Sequence, residues 1–356
     1  MQHAIIIAGG PGSRLWPASR EGRPKHLLRI HEGRSSLELA RERLRGVVPA
    51  ERTWIVSAAK QMDQIAAALP DIPRTNLITE PSPRDTANAI GLATFIISRS
   101  DPDATLLFCP ADHIIRPIAR FESAVRNAYE TAEAHATALI TFGINPTHPY
   151  TGYGYLRRGE PQRPGVYRVR EFREKPTAQV AEQYLASGEY YWNAGIFAWR
   201  ASALLAELSR QLPENAATLA KIADRGVGFA QNAEAAALWA GLKKISIDYG
   251  VMEGAREVHL VELNCDWLDI GSWTSLAATV SPDASGNALI APRALPVDSQ
   301  NSIIVSEDDH LILAFGVDDL VIVHTPDATL VCRKDQVERI RALADVRRKY
   351  FGELYE

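Results

Sequence analysis

Residues 3–14 read HAIIIAGGPGSR, an apolar run that stops at a glycine-rich turn. Residues 3–8 have the near-continuous apolar character of a strand buried on both faces. The run is too short for a signal peptide or a membrane span, and Gly9-Gly10-Pro11 ends it. Glycines after such a strand let backbone N–H groups come close to phosphate oxygens. The turn is not a dinucleotide fingerprint, because Leu15 stands at the third glycine position. It is not a Walker A loop either, because no GK[ST] follows. Arg14, Arg20, Arg23 and Lys25 lie within twelve residues and are opposed only by Glu21. Cations beside a backbone nest suit a polyphosphate; the plainer reading is a solvated basic loop.

The same pattern continues outward. Apolar runs at 53–57, 76–79, 104–109 and 137–143 read as strands, and helical spacing occupies 35–46, 60–69, 86–98 and 118–135. Ser35 or Ser36 is the expected cap of the first helix. Residues 86–98 are apolar almost all round, which predicts a buried helix. Strand–helix alternation of this kind predicts an α/β fold built on a Rossmann-like, mostly parallel sheet. Ligands of such sheets bind beyond the carboxyl ends of the strands. There the chain places GGPGSR, Arg84-Asp85 and Pro110-Ala111-Asp112-His113. Residues 201–240 are alanine-rich and helical. Residues 282–300, rich in Pro, Ser and Asn, look like a boundary, and 302–332 give short β runs before a charged helix over 334–350. We therefore expect two domains, 1–283 and 284–356.

Composition narrows the class of function. The 356 residues carry a formal charge of −4, with 46% hydrophobic and 23% charged residues. This is a globular balance, with no basic excess to suggest a nucleic-acid partner. Cys109, Cys265 and Cys332 are scattered without CxxC spacing, so small buried thiols in a reducing cytoplasm are expected. The nine histidines form no HExxH or HxH pair, so the sequence displays no histidine-based metal site.

Four further segments carry chemistry. Asp112, directly after a buried strand, is a hard oxygen ligand or a helix cap. In Glu174-Lys175-Pro176, the Lys suits a phosphate and the Glu a sugar hydroxyl, although an exposed pair usually means a solvated surface. Asn193 opens NAGIF, polar at its start and apolar after. Asp269 sits in DWLDIGSW, where both tryptophans read as core and the acid needs a partner to offset desolvation. A cation shared with Asp112 would supply one.

Together these pieces resemble the sugar-nucleotide pyrophosphorylases, most closely the mannose-1-phosphate guanylyltransferase branch. The matching segments, in family order, are AGGPGSRLWPASR (8–20) with Pro24-Lys25, EPSPRDTANAI (80–90), FCPADHII (108–115) and TFGINPTHPYTGYGYL (141–156). FREKP (172–176), WNAGIFAW (192–199), SIDYGVME (246–253) and DWLDIGSW (266–273) follow. The resemblance implies a nucleotidyltransferase domain followed by a short left-handed β-helix-like module, without the isomerase domain of longer relatives. It implies that GTP and mannose 1-phosphate give GDP-mannose and diphosphate, with Mg²⁺ held by Asp112 and Asp269. Gly9, Gly10, Gly12, Ser13 and Arg14 would wrap the triphosphate, and Lys25 would sit on its phosphates. Arg84, Asp85 and Thr86 would lie near the base. Tyr153, Gly154, Glu174 and Asn193 would shape the sugar pocket, with Lys175 on the sugar phosphate. A homodimer through the β module, no membrane and no nucleic acid complete the expectation. Two departures stand out: the family pattern RNTAP is Arg84-Asp85-Thr86-Ala87-Asn88 here, and His26 replaces a common Gln. Alternatives are another sugar phosphate or base, or a non-catalytic nucleotide-sugar-binding paralogue. The last would be expected to lose cations or ligands that here all stand.

Overall fold

The computed structural model describes residues 1–10, 12–29 and 33–355; Pro11 of the glycine turn lies outside them. Its larger part contains β1 (Gln2–Ala8), β2 (Thr53–Ala58), β3 (Leu77–Glu80), β4 (Thr105–Pro110), β5 (His113–Arg116) and β6 (Leu139–Ile144). It continues with β7 (Tyr155–Arg163), β8 (Val166–Arg173), β9 (Tyr190–Arg200), β10 (Val258–Glu262) and β11 (Asp266–Asp269). All but β5 and β11 form one nine-stranded sheet, in the order β3-β2-β1-β4-β9-β6-β10-β8-β7. Its first four strands are parallel neighbours, as is the β6–β10 pair, while β8 and β9 run against the rest. The β7–β8 reversal is a Pro164-Gly165 turn whose glycine takes φ +71, where proline fixes one torsion and glycine allows the other.

β1 is buried along most of its length, as its apolar run requires. The first helix, Ser36–Glu42, is shorter than its periodicity suggested. Its cap is Ser35, whose hydroxyl accepts from Glu38 N while Glu38 reaches back to Ser35 N. The helix Thr86–Ser100 buries nearly every side chain from Ala87 to Ile97. It is covered by Ala201–Gln211 and Pro213–Ala223, the first two of three alanine-rich helices; a Cβ on its Gly91 would come within 2.9 Å of Leu208 and Leu219. Among the described residues no helix is long and apolar enough to cross a membrane.

The rest is a small coiled stack: β12 (Ala288–Ile290), β13 (Ala294–Val297), β14 (Ile303–Ser306), β15 (Ile312–Phe315), β16 (Leu320–Thr325) and β17 (Ala328–Arg333). β12, β14 and β16 lie parallel in one wall, β13 and β15 in another, and β17 returns antiparallel on β16. The 282–300 segment, read as a boundary, thus contains two strands of the first coil; strands this short show too few alternating positions to stand out from their turn residues. A single apolar cluster joins the stack to the larger part. Leu15, Leu28, Ile270 and Trp273 pack with Ile303, Val321, Val323 and Ile340.

Candidate active site

The site grows from the carboxyl ends of β1, β3 and β4. β4 ends at Pro110, two residues before Asp112. The β5–β11 ribbon then sets Asp269 opposite His113, and Ile270 N donates to Asp112 O at 3.1 Å. This register brings the carboxylates of Asp112 and Asp269 together, with the His113 ring, to within 4.8 Å. Lys25 Nζ pairs with Asp112. Burial works against the charge on Asp112, but Lys25 outweighs it and holds the group below the usual carboxylate range. Burial and then the neighbouring Asp112 push Asp269 up to about 6. Two carboxylates facing one ammonium leave a negative spot of oxygen donors, which fits a hard divalent cation. His113 is buried, accepts from Trp267 Nε1 at 3.2 Å, and is pushed down to about 4 by burial, so it is a neutral structural ring. The two tryptophans of DWLDIGSW pack as expected, Trp273 fully buried and Trp267 against His113 and Tyr153.

The glycine turn shapes this cleft from the other side. Gly12 takes φ +61; a Cβ there would strike the Ser19 hydroxyl and stand 2.8 Å from Lys25 Cβ. Arg14 lies over Gly271 and pairs with Glu338 of the C-terminal segment at 3.0 Å. Two of the cations read as phosphate partners are struts instead. Arg20 donates two hydrogen bonds to the Asp327 carboxylate, at 2.5 and 2.6 Å, and Arg23 pairs with Glu307. Trp16 Nε1 donates to Tyr355 O at 3.1 Å, and Arg347 lies over the Trp16 ring. The partners of Arg20 and Arg23 come from the β stack, which explains why the loop's own sequence could not reveal them.

Gly9, Gly10, Arg84, Asp85, Thr86, Asp112, Asp248 and Asp269 line one cleft of about 510 Å³. Ser13 lines an adjoining one of about 480 Å³, which shares Gly9, Gly10 and Glu80. Arg84 donates to the Trp239 and Ala240 carbonyls. Asp85, at φ +68, accepts from Thr86 N at 2.8 Å and so caps its own helix. Thr86 Oγ1 accepts from Ile247 N at 2.8 Å. The unusual Asn88 is fully buried and donates to Arg84 O and Lys243 O, while accepting from Asn215. Both ring nitrogens of the other departure, His26, are buried without a hydrogen-bond partner. Glu80 lines the same cleft beside Arg84 and Asp85; burial, then Asp85, pushes its carboxyl up to about 7.

At the cleft's far end Asn193 is a hub. Its Nδ2 donates to Asp248 Oδ1 at 2.9 Å, and its Oδ1 accepts from Thr141 Oγ1 at 2.8 Å and Gly195 N at 3.2 Å. Gly154 O accepts from Asn193 N at 2.8 Å, and a Cβ on Gly154 would come within 2.5 Å of Glu174 Oε2. Any side chain there would displace the Glu174 carboxylate. Lys175, at φ +46, donates from Nζ to Glu174 Oε1 at 2.6 Å. Burial, then the Glu174 charge, pushes Asp248 up to about 7. Tyr153 stands behind, ring to ring with Tyr150, Trp192 and Trp267. Neighbours that contact the lining extend the cleft into a trough: Lys25 on Asp112, Asn193 on Asp248, and Glu174 with Lys175 beside Asp248, while Ser13 lines the adjoining cleft and Tyr153 is an aromatic backing.

A family model described as nucleotidyl transferase matches residues 3–285, the whole of this trough. The chain belongs to the nucleotidyl transferase family. A second model, described as a MannoseP isomerase/GMP-like beta-helix domain, matches residues 292–345. The chain is similar to the mannose-1-phosphate guanylyltransferase of Klebsiella pneumoniae, 38% identical over 95% of this chain and 72% of that one. It is 37% identical to that of Escherichia coli K12, over 96% of this chain and 73% of the relative. A solved structure from Thermus thermophilus, described as mannose-1-phosphate geranyltransferase, superposes with a TM-score of 0.86 at 34% identity. It covers 97% of this chain and 98% of its own. Sequence reasoning passed over two residues of this nucleotidyl transferase. Glu80 ends β3 and reads as an ordinary strand-end acid. Asp248 lies inside the quoted SIDYGVME segment, and its signal was the segment itself.

Proposed function

We propose that this nucleotidyl transferase is a mannose-1-phosphate guanylyltransferase, joining GTP and mannose 1-phosphate into GDP-mannose and releasing diphosphate. Relatives of that name at 37–38% identity support the reading. The observation that carries it is the cleft lined by Gly9, Gly10, Glu80, Asp248 and the Asp112–Asp269 pair, with Lys25 bonded to Asp112, Asn193 to Asp248, and the Glu174–Lys175 pair alongside. A sugar-phosphate oxygen attacks the α-phosphorus of GTP in line. That P–O bond forms as the bond to diphosphate breaks, and diphosphate carries away the electron pair. The second pKa of a phosphate monoester is about 6, so the nucleophile is already ionised and needs no general base. The obstacle is the meeting of two polyanions, and positioning plus neutralisation removes it. Lys25, kept charged by Asp112 and Asp269 despite burial, faces the α-phosphate. Lys175 takes the sugar phosphate, and Arg14 the leaving end. Mg²⁺ on Asp112 and Asp269 would offset charge on the α-phosphate and diphosphate. Diphosphate release measured for GTP, ATP, UTP and dTTP against mannose, glucose and fucose 1-phosphates tests the reading. A dominant GTP–mannose signal abolished by EDTA is the expected result; a different dominant pair, or silence from folded protein, overturns it.

Glu80 joins Asp85 in the proposed recognition of the base. Asp85 gives one carboxylate oxygen, Oδ1, to Thr86 N, and the Glu80 carboxylate, which lines the same cleft, can accept from guanine N1–H and N2–H₂ together. Its raised value means that it is mostly protonated at pH 6 and ionised at pH 8. GDP-mannose has no group of its own titrating between those limits. Its affinity is therefore expected to rise by up to about tenfold from pH 6 to pH 8. Calorimetric titration across that range checks this, and Glu80→Gln should bind weakly and lose the rise, keeping only the smaller pH dependence from Asp248 and Asp269, which ionise in the same range. An unchanged rise in the variant would remove Glu80 from base recognition.

The β stack leaves an apolar stripe outward. On β15 Leu313 is 57% and Phe315 66% exposed, beside exposed Leu295 and Val297 on β13. Contiguous apolar surface of this kind suits a second copy of the chain. Leu313→Arg with Phe315→Arg is expected to convert a dimer into a 39.2 kDa monomer by light scattering. An unchanged mass would place the interface elsewhere.

A further inference from the structure

At the amino ends of β6 and β10, away from the trough, three side chains converge that the proposed reaction does not use. His135 closes the helix Ile118–Ala134, and Glu257 and His259 open β10. His135 is far in sequence from the other two and meets them because β6 and β10 are parallel neighbours that begin at the same level: Val258 pairs with Leu139, and Leu139 N donates to Glu257 O at 3.0 Å. Glu257 Oε1 stands 3.1 Å from His259 Nε2 and 3.7 Å from His135 Nδ1. One ligand atom from each residue lies within 4.8 Å of the others. In a tetrahedral shell with bonds of about 2.1 Å, ligand atoms stand about 3.4 Å apart, so the two distances bracket that of a zinc shell. The other carboxylate oxygen accepts from Thr137 Oγ1 at 2.8 Å, the outer contact that orients a metal-binding carboxylate. His259 is buried, while His135 and Glu257 keep about a third of their side-chain surface, which leaves a fourth position open to water.

We infer that His135, Glu257 and His259 form a second, structural metal site for Zn²⁺ or a similar borderline transition ion, separate from the carboxylate pair of the trough. The ion would fasten the end of the Ile118–Ala134 helix to β10. The donor set distinguishes the two places: two imidazoles and one carboxylate select zinc-class ions, whereas the all-oxygen pair suits Mg²⁺.

Metal-stripped full-length chain, dialysed against Zn²⁺ and assayed by elemental analysis, tests the inference, with Co²⁺ as the spectroscopic probe. The expected result is one Zn²⁺ per chain that survives Asp112→Ala and disappears in His135→Ala. Co²⁺ should give the intense visible band of a four-coordinate site in both the wild type and Asp112→Ala. Thr137→Ala should weaken binding about tenfold, and Zn²⁺ should raise the melting temperature of the wild type but not of His135→Ala. Because His135 sits at a half-exposed helix end, His135→Gln serves as a second variant if the alanine form misfolds. Zn²⁺ retained undiminished in the His135 variants, or no ion beyond the one that Asp112→Ala removes, would overturn the site.

Discussion

Asp269→Ala is expected to lower turnover by on the order of a hundredfold or more while the fold stays intact. The reason lies in the β5–β11 ribbon. Backbone pairing delivers the Asp269 carboxylate to Asp112 at no cost in side-chain reach, and the pair exists only because something positive offsets it. In the free chain Lys25 does part of this. With substrate, Lys25 is needed by phosphate oxygens, and the metal must take over. Removing one of two carboxylates lowers the site's charge and leaves the metal with too few fixed oxygens. The fold should tolerate the change, because the group is raised toward neutrality by burial and Asp112, so deleting it relieves a like-charge contact. Circular dichroism and melting should be near wild type while diphosphate release collapses, and higher Mg²⁺ should recover part of the loss. A variant within a few-fold of wild type would sink the metal assignment.

Lys25→Ala should do still more, on the order of a thousandfold in kcat/KM, which corresponds to about 4 kcal/mol of transition-state stabilisation. Lys25 is held under Gly12, so its ammonium is fixed rather than sampled, and charge that is already oriented needs no reorganisation as the α-phosphate develops its trigonal bipyramid. Its loss also leaves Asp112 and Asp269 facing each other without a counter-charge, so the apo variant should melt lower. Mg²⁺ should restore the melting temperature but not the turnover, and this separates the two roles. If Mg²⁺ rescued both, Lys25 would be only a placeholder for the metal.

The sheet was legible because its central strands are apolar runs that need no tertiary knowledge, and because a site at their carboxyl ends follows from topology. HAIIIA and ATLLFC placed the glycine turn and Asp112 in this way. Asp269 was legible from the cost of an acid among aromatics. What escaped depends on partners far along the chain. Arg20 and Arg23 look like phosphate ligands until the β stack supplies Asp327 and Glu307. Asp85 also caps its own helix, because its backbone turns Oδ1 onto Thr86 N. Glu80 is an unremarkable strand-end acid until burial raises it, and the two histidines that meet at Glu257 stand 124 positions apart. Strands β12 and β13 hid in a stretch of turn residues for want of length.

The strapping of the glycine turn to the β stack has a consequence for inheritance. Arg14, Arg20 and Arg23 on one side, and Glu338, Asp327 and Glu307 on the other, form a matched set of teeth over a shared apolar core. A stack borrowed from a relative whose acids stand elsewhere would leave Arg20 and Arg23 free to swing into the phosphate path and Arg14 without the contact that aims it. Recombination between relatives should therefore preserve activity only when loop and stack travel together, although the two lie at opposite ends of the sequence.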